Sequence, residues 1–263
     1  MEETGMTALA LALTLTTTSA AQMGAAAPQQ ETAKAVFEQM LAKYHEAKTV
    51  AGKVVFEQTA RSASGEKKVA IATTLFVSKP KKFSLQQTRT PADTSGTLSN
   101  SFWAISDGKK MGYSIPKGLL PGDPPKMYEA VPDYAGVSEG LDAFAPLLLD
   151  RSFPIAVAFY NEYEMRLLLQ EVVNFKFGEP KEMEFAGKPA WVIEAQYIRF
   201  RAKDGRPEIR IPIYFYVSKD YDLLGMEYEE NLMDGQVTYR LESKWTAQLE
   251  RDVEIPDTTF VVK

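Results

Sequence analysis

The side chains of this sequence that could do chemistry are few. His45 is the only histidine, so a Ser-His-Asp triad or a histidine-metal site would have to use it. It lies beside Tyr44 at the edge of an apolar stripe, with no second ligand at a metal-binding spacing, and reads as a helix-edge residue. Glu182/Glu184 and Glu227/Glu229 sit two residues apart, the spacing that puts both carboxylates on one face of a strand as an acid-base pair would need. Alternating glutamates on a strand more often mark its solvated face. Lys79, Lys81, Lys82, Lys109 and Lys110 gather at two turns. They read as a sheet edge blunted by charge, with a docking patch for an acidic partner or anionic lipid as the alternative. There is no GxGxxG, P-loop, GxSxG or HExxH. With no cysteine, thiol catalysis, disulfides and Cys-zinc sites are excluded. The chain is read as non-catalytic and without cofactor.

Composition bounds the rest. At 263 residues and 45% hydrophobic content the chain can bury a substantial core. A net charge of -5 argues against a nucleic-acid surface. Thr7–Thr18 is an uncharged run, too short to span a bilayer, followed by small residues of the kind signal peptidase accepts. Residues 1–27 therefore resemble a secretory signal, although Glu2 and Glu3 stand where Lys or Arg is usual. Residues 28–263 are read as a single domain, exported, soluble and monomeric.

The elements that must position a site follow from periodicity. Thr32–Lys48 predicts a helix, with Val36, Phe37, Met40, Leu41 and Tyr44 on one face and Thr32 as N-cap. Most of the remaining segments alternate as strands: Lys53–Thr59, Lys68–Val77, Phe83–Arg89, Ser101–Ser106, Lys110–Ile115, Asn174–Phe177, Glu182–Phe185, Ala190–Phe200, Ile209–Val217, Leu223–Glu230 and Gln236–Ala247, with Thr258–Val262 a possible last one. Asp107-Gly108, Ala186-Gly187, Lys203-Asp204-Gly205 and Asp234-Gly235 are hairpin signals. Lys68–Val77 is apolar on both faces, so both sides of its sheet should be covered. Leu141–Leu149, Phe153–Tyr160 and Tyr163–Glu171 read as short helices. They are either a buried layer or a lid over an apolar cavity. Lys117–Gly140, rich in Pro and Gly, is predicted to hold no regular element. The sum is an α+β fold: a curved, incomplete antiparallel barrel of about ten strands closed by a helical lid.

Several pieces, in order, resemble the LolA-like superfamily, which includes the periplasmic carrier of outer-membrane lipoproteins, the receptor LolB and the regulator RseB. They are the first helix leading into Phe56-Glu57-Gln58-Thr59, the Lys-Pro turn Ser78–Phe83, Ile105-Ser106-Asp107-Gly108-Lys109 with Tyr113 and Pro116, the lid stretch Leu141–Arg151, and the closing hairpin Ile213–Gly235. The Pro/Gly-rich 117–140 segment departs from the family pattern as an insertion. The resemblance implies acyl chains held in an apolar cavity, with lipid or a lipoprotein as partner. A regulatory module of the RseB type, binding a membrane protein, is the alternative it leaves open. Alternation and apolar density nominate the lining: Phe56, Ile71, Leu85, Trp103, Met111 and Tyr113 from the sheet, and Phe144, Leu148, Phe153 and Val157 from the lid.

Overall fold

Thr32 opens helix α1 (Ala33–Glu46), its hydroxyl accepting from the Ala35 amide at 3.2 Å. The apolar stripe Val36, Phe37, Met40, Leu41 and Tyr44 is buried throughout. The computed structural model describes residues 32–92, 100–114, 127–130, 135–173, 181–200, 208–234 and 236–262. The segment 1–27, the turn at 203–205 and the strand expected at Asn174–Phe177 lie outside the described residues.

The strands are β1 (Thr49–Ser62), β2 (Gly65–Ser78), β3 (Lys82–Thr90), β4 (Ser101–Asp107), β5 (Met111–Ser114), β6 (Met127–Ala130), β7 (Val172–Val173), β8 (Lys181–Phe185), β9 (Lys188–Phe200), β10 (Ile209–Ser218), β11 (Leu223–Asp234) and β12 (Val237–Arg251). They form one sheet in the order β6-β5-β4-β3-β2-β1-β12-β11-β10-β9-β7, with β8 also paired to β9. The pairings are antiparallel, and the path is open, not closed on itself. The two long strands expected to share a sheet, β2 and β10, do so, with α1 against β9 and β10. The first and last long strands, β1 and β12, pair over Val50–Arg61, which joins the two halves of the sheet.

Register sorts the side chains. Ile71, Phe56, Trp245, Met226, Phe215 and Ile193 are aligned partners across six strands, from β2 to β9. They belong to the face on which the helices lie. Those helices are α2 (Val137–Asp142), α3 (Phe153–Phe159) and α4 (Glu162–Leu168), the last continued by a 3₁₀ turn, Leu169–Glu171. α3 touches α1, α2, α4, β1 and β11 and is buried along its whole length. On the opposite face, Phe185 stacks on Tyr216 at 3.9 Å and, with Ala190 and Leu224, forms a second small core. A 3₁₀ turn, Asp257–Phe260, lies against β3 and β4 and buries Phe260. The outer side is covered only locally: on β2, Ala70, Ala72 and Phe76 are half-buried and Thr74 is exposed, so the cover expected on both faces of this strand is complete on the helical side alone.

Three expectations change. Thr258–Val262 adds no strand: this segment, introduced by Pro256, lies across the sheet instead of along an edge, and its regular part is the 3₁₀ turn. Leu141–Leu149 is not a continuous helix. α2 ends at Asp142, and three-residue turns follow, with the Phe144, Ala145 and Leu147 amides donating to the carbonyls of Leu141, Asp142 and Phe144. Pro146 supplies no amide and disfavours helical backbone at Ala145. The 117–140 stretch does carry regular structure, since β6 pairs with β5 and α2 begins at Val137.

The C-terminal end of α1 is tied down by charge. The Lys79 ammonium donates to the carbonyls of Tyr44 at 2.8 Å and His45 at 3.2 Å, cancelling the partial negative charge of the helix end. Arg251 pairs with Asp222 at 2.6 Å and lies over the Tyr44 ring, while the Tyr44 hydroxyl accepts from the Leu223 amide. Burial pushes the Tyr44 phenol well above its ordinary pKa, so it stays neutral.

Candidate functional site

Between the helices and the β9–β12 half of the sheet lies an apolar cavity of about 190 Å³, open to solvent beside the exposed Leu168. The sheet contributes Tyr197, Ile213, Phe215, Met226, Tyr228 and Trp245, and the helical layer contributes Ser152, Phe153, Leu168, Leu169 and Val172. Period-two alternation puts Ile213 and Phe215 of β10, and Met226 and Tyr228 of β11, on one face as register partners. Aromatic rings frame the space: Phe56 stacks on Trp245 at 4.5 Å, Tyr228 stands 5.6 Å from Trp245, and Phe153 meets Phe215 edge-on at 5.1 Å. These are ordinary aromatic separations, so rigid rings rather than flexible chains hold the walls apart.

One polar seam fastens the helical layer to the sheet beside this cavity. Asp150, in the turn before α3, is 8% exposed. Its Oδ2 accepts from the Trp245 indole at 3.1 Å and its Oδ1 from the Ser152 amide at 2.9 Å. Gln87 on β3 completes the seam, accepting from the Leu149 amide at 2.8 Å and donating to the Asp150 carbonyl at 2.6 Å and the Thr73 hydroxyl at 3.2 Å. Burial raises the Asp150 carboxyl above its ordinary pKa, and the hydrogen bonds from the Ser152 amide and the Trp245 indole pull the other way.

The nominated lining residues separate into three groups. Phe153 lines the cavity, and Phe56 borders it through Trp245. Ile71 is the cross-strand partner of Phe56 on the same face. Leu85, Met111, Phe144 and Val157 are buried in the solid part of the core, with Tyr113 and Leu148 packed against it. That half is filled by rings: Phe83, Phe102 and Tyr113 all lie within 6.5 Å of Phe144, centroid to centroid. Trp103 is on the other face. Its neighbours Phe102 and Ala104 point into the core, while its own ring stands 3.5 Å from where a Cβ on Gly112 would be. A one-residue slip in assigning β4 exchanges the two faces. The lining from β9, β10, β11, β12 and the 3₁₀ turn was not anticipated. The alternation of Met226 and Tyr228 with Glu227 and Glu229 carried that signal.

The candidate chemistry of the sequence is otherwise occupied. His45 is exposed on the last turn of α1. Glu227 accepts from the Tyr216 hydroxyl, Glu229 pairs with Arg240 at 2.7 Å, and Glu182 pairs with Lys219. Of the lysine cluster, Lys79 caps α1 and Lys82 pairs with Asp257 at 2.7 Å. Among the described residues no group of three or more His, Cys, Asp or Glu is placed to hold a metal. No described helix is long and apolar enough to cross a membrane. A larger cleft of about 580 Å³ crosses the opposite face, at the aligned row Glu57, Lys244, Glu227 and Tyr214. Charged side chains such as Glu57, Lys68, Glu227 and Lys244 stand in its wall, whereas the smaller pocket is lined by apolar and aromatic residues with Ser152 the one exception.

No protein-family model matches the chain, and no curated protein matches it. Several solved structures are similar to it, among them the following three. A LolA-superfamily protein from Nitrosomonas europaea is 10% identical, with 88% of this chain and 98% of that one covered and a TM-score of 0.28. A DUF1329-family protein from Desulfovibrio piger is 12% identical over 87% and 97%, with a TM-score of 0.29. A domain described as an outer-membrane lipoprotein-sorting protein, from Vibrio parahaemolyticus, is 8% identical over 85% and 94%, with a TM-score of 0.27. None of these likenesses bears on chemistry.

Proposed function

We propose that this protein is a non-catalytic, exported binder or carrier of lipid or of lipid-modified protein, taking an acyl chain between its helical layer and its sheet. The observation that carries the reading is the cavity bounded by Phe153, Phe215, Met226, Tyr228 and Trp245. An acyl chain offers no hydrogen-bonding groups along its length. Its site needs apolar area kept from collapsing, and each buried CH₂ contributes about 0.8 kcal/mol. At about 190 Å³ the cavity accommodates a short stretch of chain as it stands. A full-length chain requires the helical layer to move off the sheet, and the seam through Asp150 and Gln87 is what it must break.

The test is binding of a fluorescent fatty acid to delipidated protein. Saturable binding is expected. Phe153→Asn, which puts an amide into the cavity wall, should weaken it by about 5- to 150-fold, since an unpaired buried amide costs on the order of 1–3 kcal/mol. Leu148→Asn, half-buried against the solid part of the core, should weaken it less. Melting of each variant separates lost binding from lost fold. His45→Ala should bind as the parent does. No binding by the parent protein, or loss of binding in His45→Ala alone, would overturn the proposal.

A further inference from the structure

The cavity wall holds one residue that is neither apolar nor aromatic, Ser152. By backbone it is the N-cap of α3, yet its side chain makes no capping hydrogen bond. A serine in this place ordinarily accepts from the second or third amide of the helix. Here the second position is Pro154, which has no N–H, and the third amide, that of Ile155, donates to the Ser152 carbonyl at 3.0 Å. The Ser152 amide is itself taken, donating to Asp150 Oδ1 at 2.9 Å. The hydroxyl is left over. Its oxygen is shut off from water and has no hydrogen-bond partner. It lies close enough to Asp150 to ease the charge on that carboxyl, but outside hydrogen-bonding geometry. The neighbouring donor of the wall, the Trp245 indole, is already committed to Asp150 Oδ2 at 3.1 Å. Folded proteins pair the large majority of their buried polar side-chain atoms, so an orphaned hydroxyl in the wall of a cavity calls for a partner that the chain itself does not supply.

We infer that Ser152 sets the ligand specificity of the cavity, its hydroxyl donating to the neutral carbonyl oxygen of an acyl ester. This rests on the acyl-binding reading and adds to it the linkage by which the acyl chain is carried. A turn about the single Cα–Cβ bond, from one staggered rotamer to another, swings the hydroxyl from the wall into the cavity. The hydrocarbon then lies along Phe153, Phe215 and Trp245. A plain hydrocarbon gives the hydroxyl nothing to bond. A carboxylate brings a charge into apolar surroundings that already hold the Asp150 carboxyl, and both desolvation and like charge oppose it. The ester alone meets the hydroxyl with an acceptor and no charge. A fatty acid still binds by its tail, with its carboxylate kept in water at the mouth beside Leu168.

The experiment is displacement of a bound fluorescent fatty acid from the full-length delipidated protein by methyl octanoate and by decane, an alkane of matching length. The quantity read is the ratio of the two Kd values, in which the apolar contacts common to both ligands cancel. Ser152→Ala should shift that ratio against the ester by about 3- to 10-fold, the worth of one neutral hydrogen bond. Because the hydroxyl bonds nothing in the empty protein, Ser152→Ala should also keep the parent's urea midpoint. Should Ser152→Ala lose its unfolding transition, Ser152→Cys, of similar size and a weaker donor, decides by the same shift. A parent-like ratio in the folded variant would overturn the proposal while leaving the acyl-binding reading in place. A lowered midpoint alongside that ratio would assign the hydroxyl to the Asp150 seam. Failure of methyl octanoate to displace the probe from the parent protein would likewise overturn the ester assignment alone. A parent protein that binds no fluorescent fatty acid would overturn both.

Discussion

Asp150 is the residue on which the helical layer turns. Its oxygens take N–H donors from Trp245 and Ser152 instead of a cation, and burial raises its pKa. A carboxyl whose folded pKa exceeds its unfolded value binds more protons in the folded state between the two values. Its contribution to stability is therefore fully present below the unfolded pKa and is lost as pH rises through the folded one. Asp150→Asn should destabilise at acid pH by about 1–3 kcal/mol, because one amide oxygen cannot satisfy both donors. The gap to the parent should narrow as pH rises through the raised pKa. Urea unfolding of both proteins across the acid-to-neutral range measures this, and a gap that widens with pH would refute the assignment. Nothing in the sequence marked Asp150. An aspartate followed by Arg151 reads as a surface turn, and its partners are 63 and 95 positions away. Trp103 was misplaced for a different reason: β4 has apolar residues on both faces, so alternation alone gives its side chains no inside or outside.

At the scale of elements, the sequence was most informative where a pattern runs long. α1, β2, β10 and the β11–β12 hairpin stand where periodicity places them, because each presents a repeated apolar row to one neighbour. The short lid segments were less legible. α2, α3 and α4 are uniformly apolar or brief, and their limits are set by Pro146, by the capping box of Asn161 and Glu164, and by tertiary contacts. Lys79 belongs to this scale, since it holds two elements together. The sequence showed it only as one of five clustered lysines, whereas its ammonium closes the end of α1. Lys79→Met keeps the length and removes the donors, and should cost about 1–2 kcal/mol in urea unfolding. Lys109→Met, at an exposed hairpin position, should change stability by less than about 0.5 kcal/mol. Equal effects of the two would show that Lys79 does not cap the helix. Gly52 is a second joint: its φ is +151°, and a Cβ would meet the Gln248 carbonyl oxygen at 2.0 Å. Gly52→Ala pushes β1 from β12 at the seam between the two halves and should cost about 2–4 kcal/mol.

The whole molecule is a two-faced sheet whose faces do different work. One face, with α1–α4 upon it, is solid under β3–β5 and hollow under β9–β12. The other carries a charged cleft and is covered locally by β8 and the C-terminal turn. The three tryptophans sample this division. Trp245 lines the cavity, Trp191 is buried near Tyr221 at 5.3 Å, and Trp103 lies on the opposite face beside Gly112. A fatty acid brominated along its chain quenches indole emission on contact, so it reports which face the hydrocarbon occupies. Binding to the interior should quench the parent strongly and Trp103→Phe by the same absolute amount, because Trp103 is separated from the cavity by the sheet itself. Trp245→Phe should lose most of the quenching while still binding, since Phe keeps the stack on Phe56 and gives up only the indole bond to Asp150. The opposite pattern, with quenching lost in Trp103→Phe and retained in Trp245→Phe, would place the chain on the outer face. The cavity would then be a packing void, and the helical layer a cover rather than a lid.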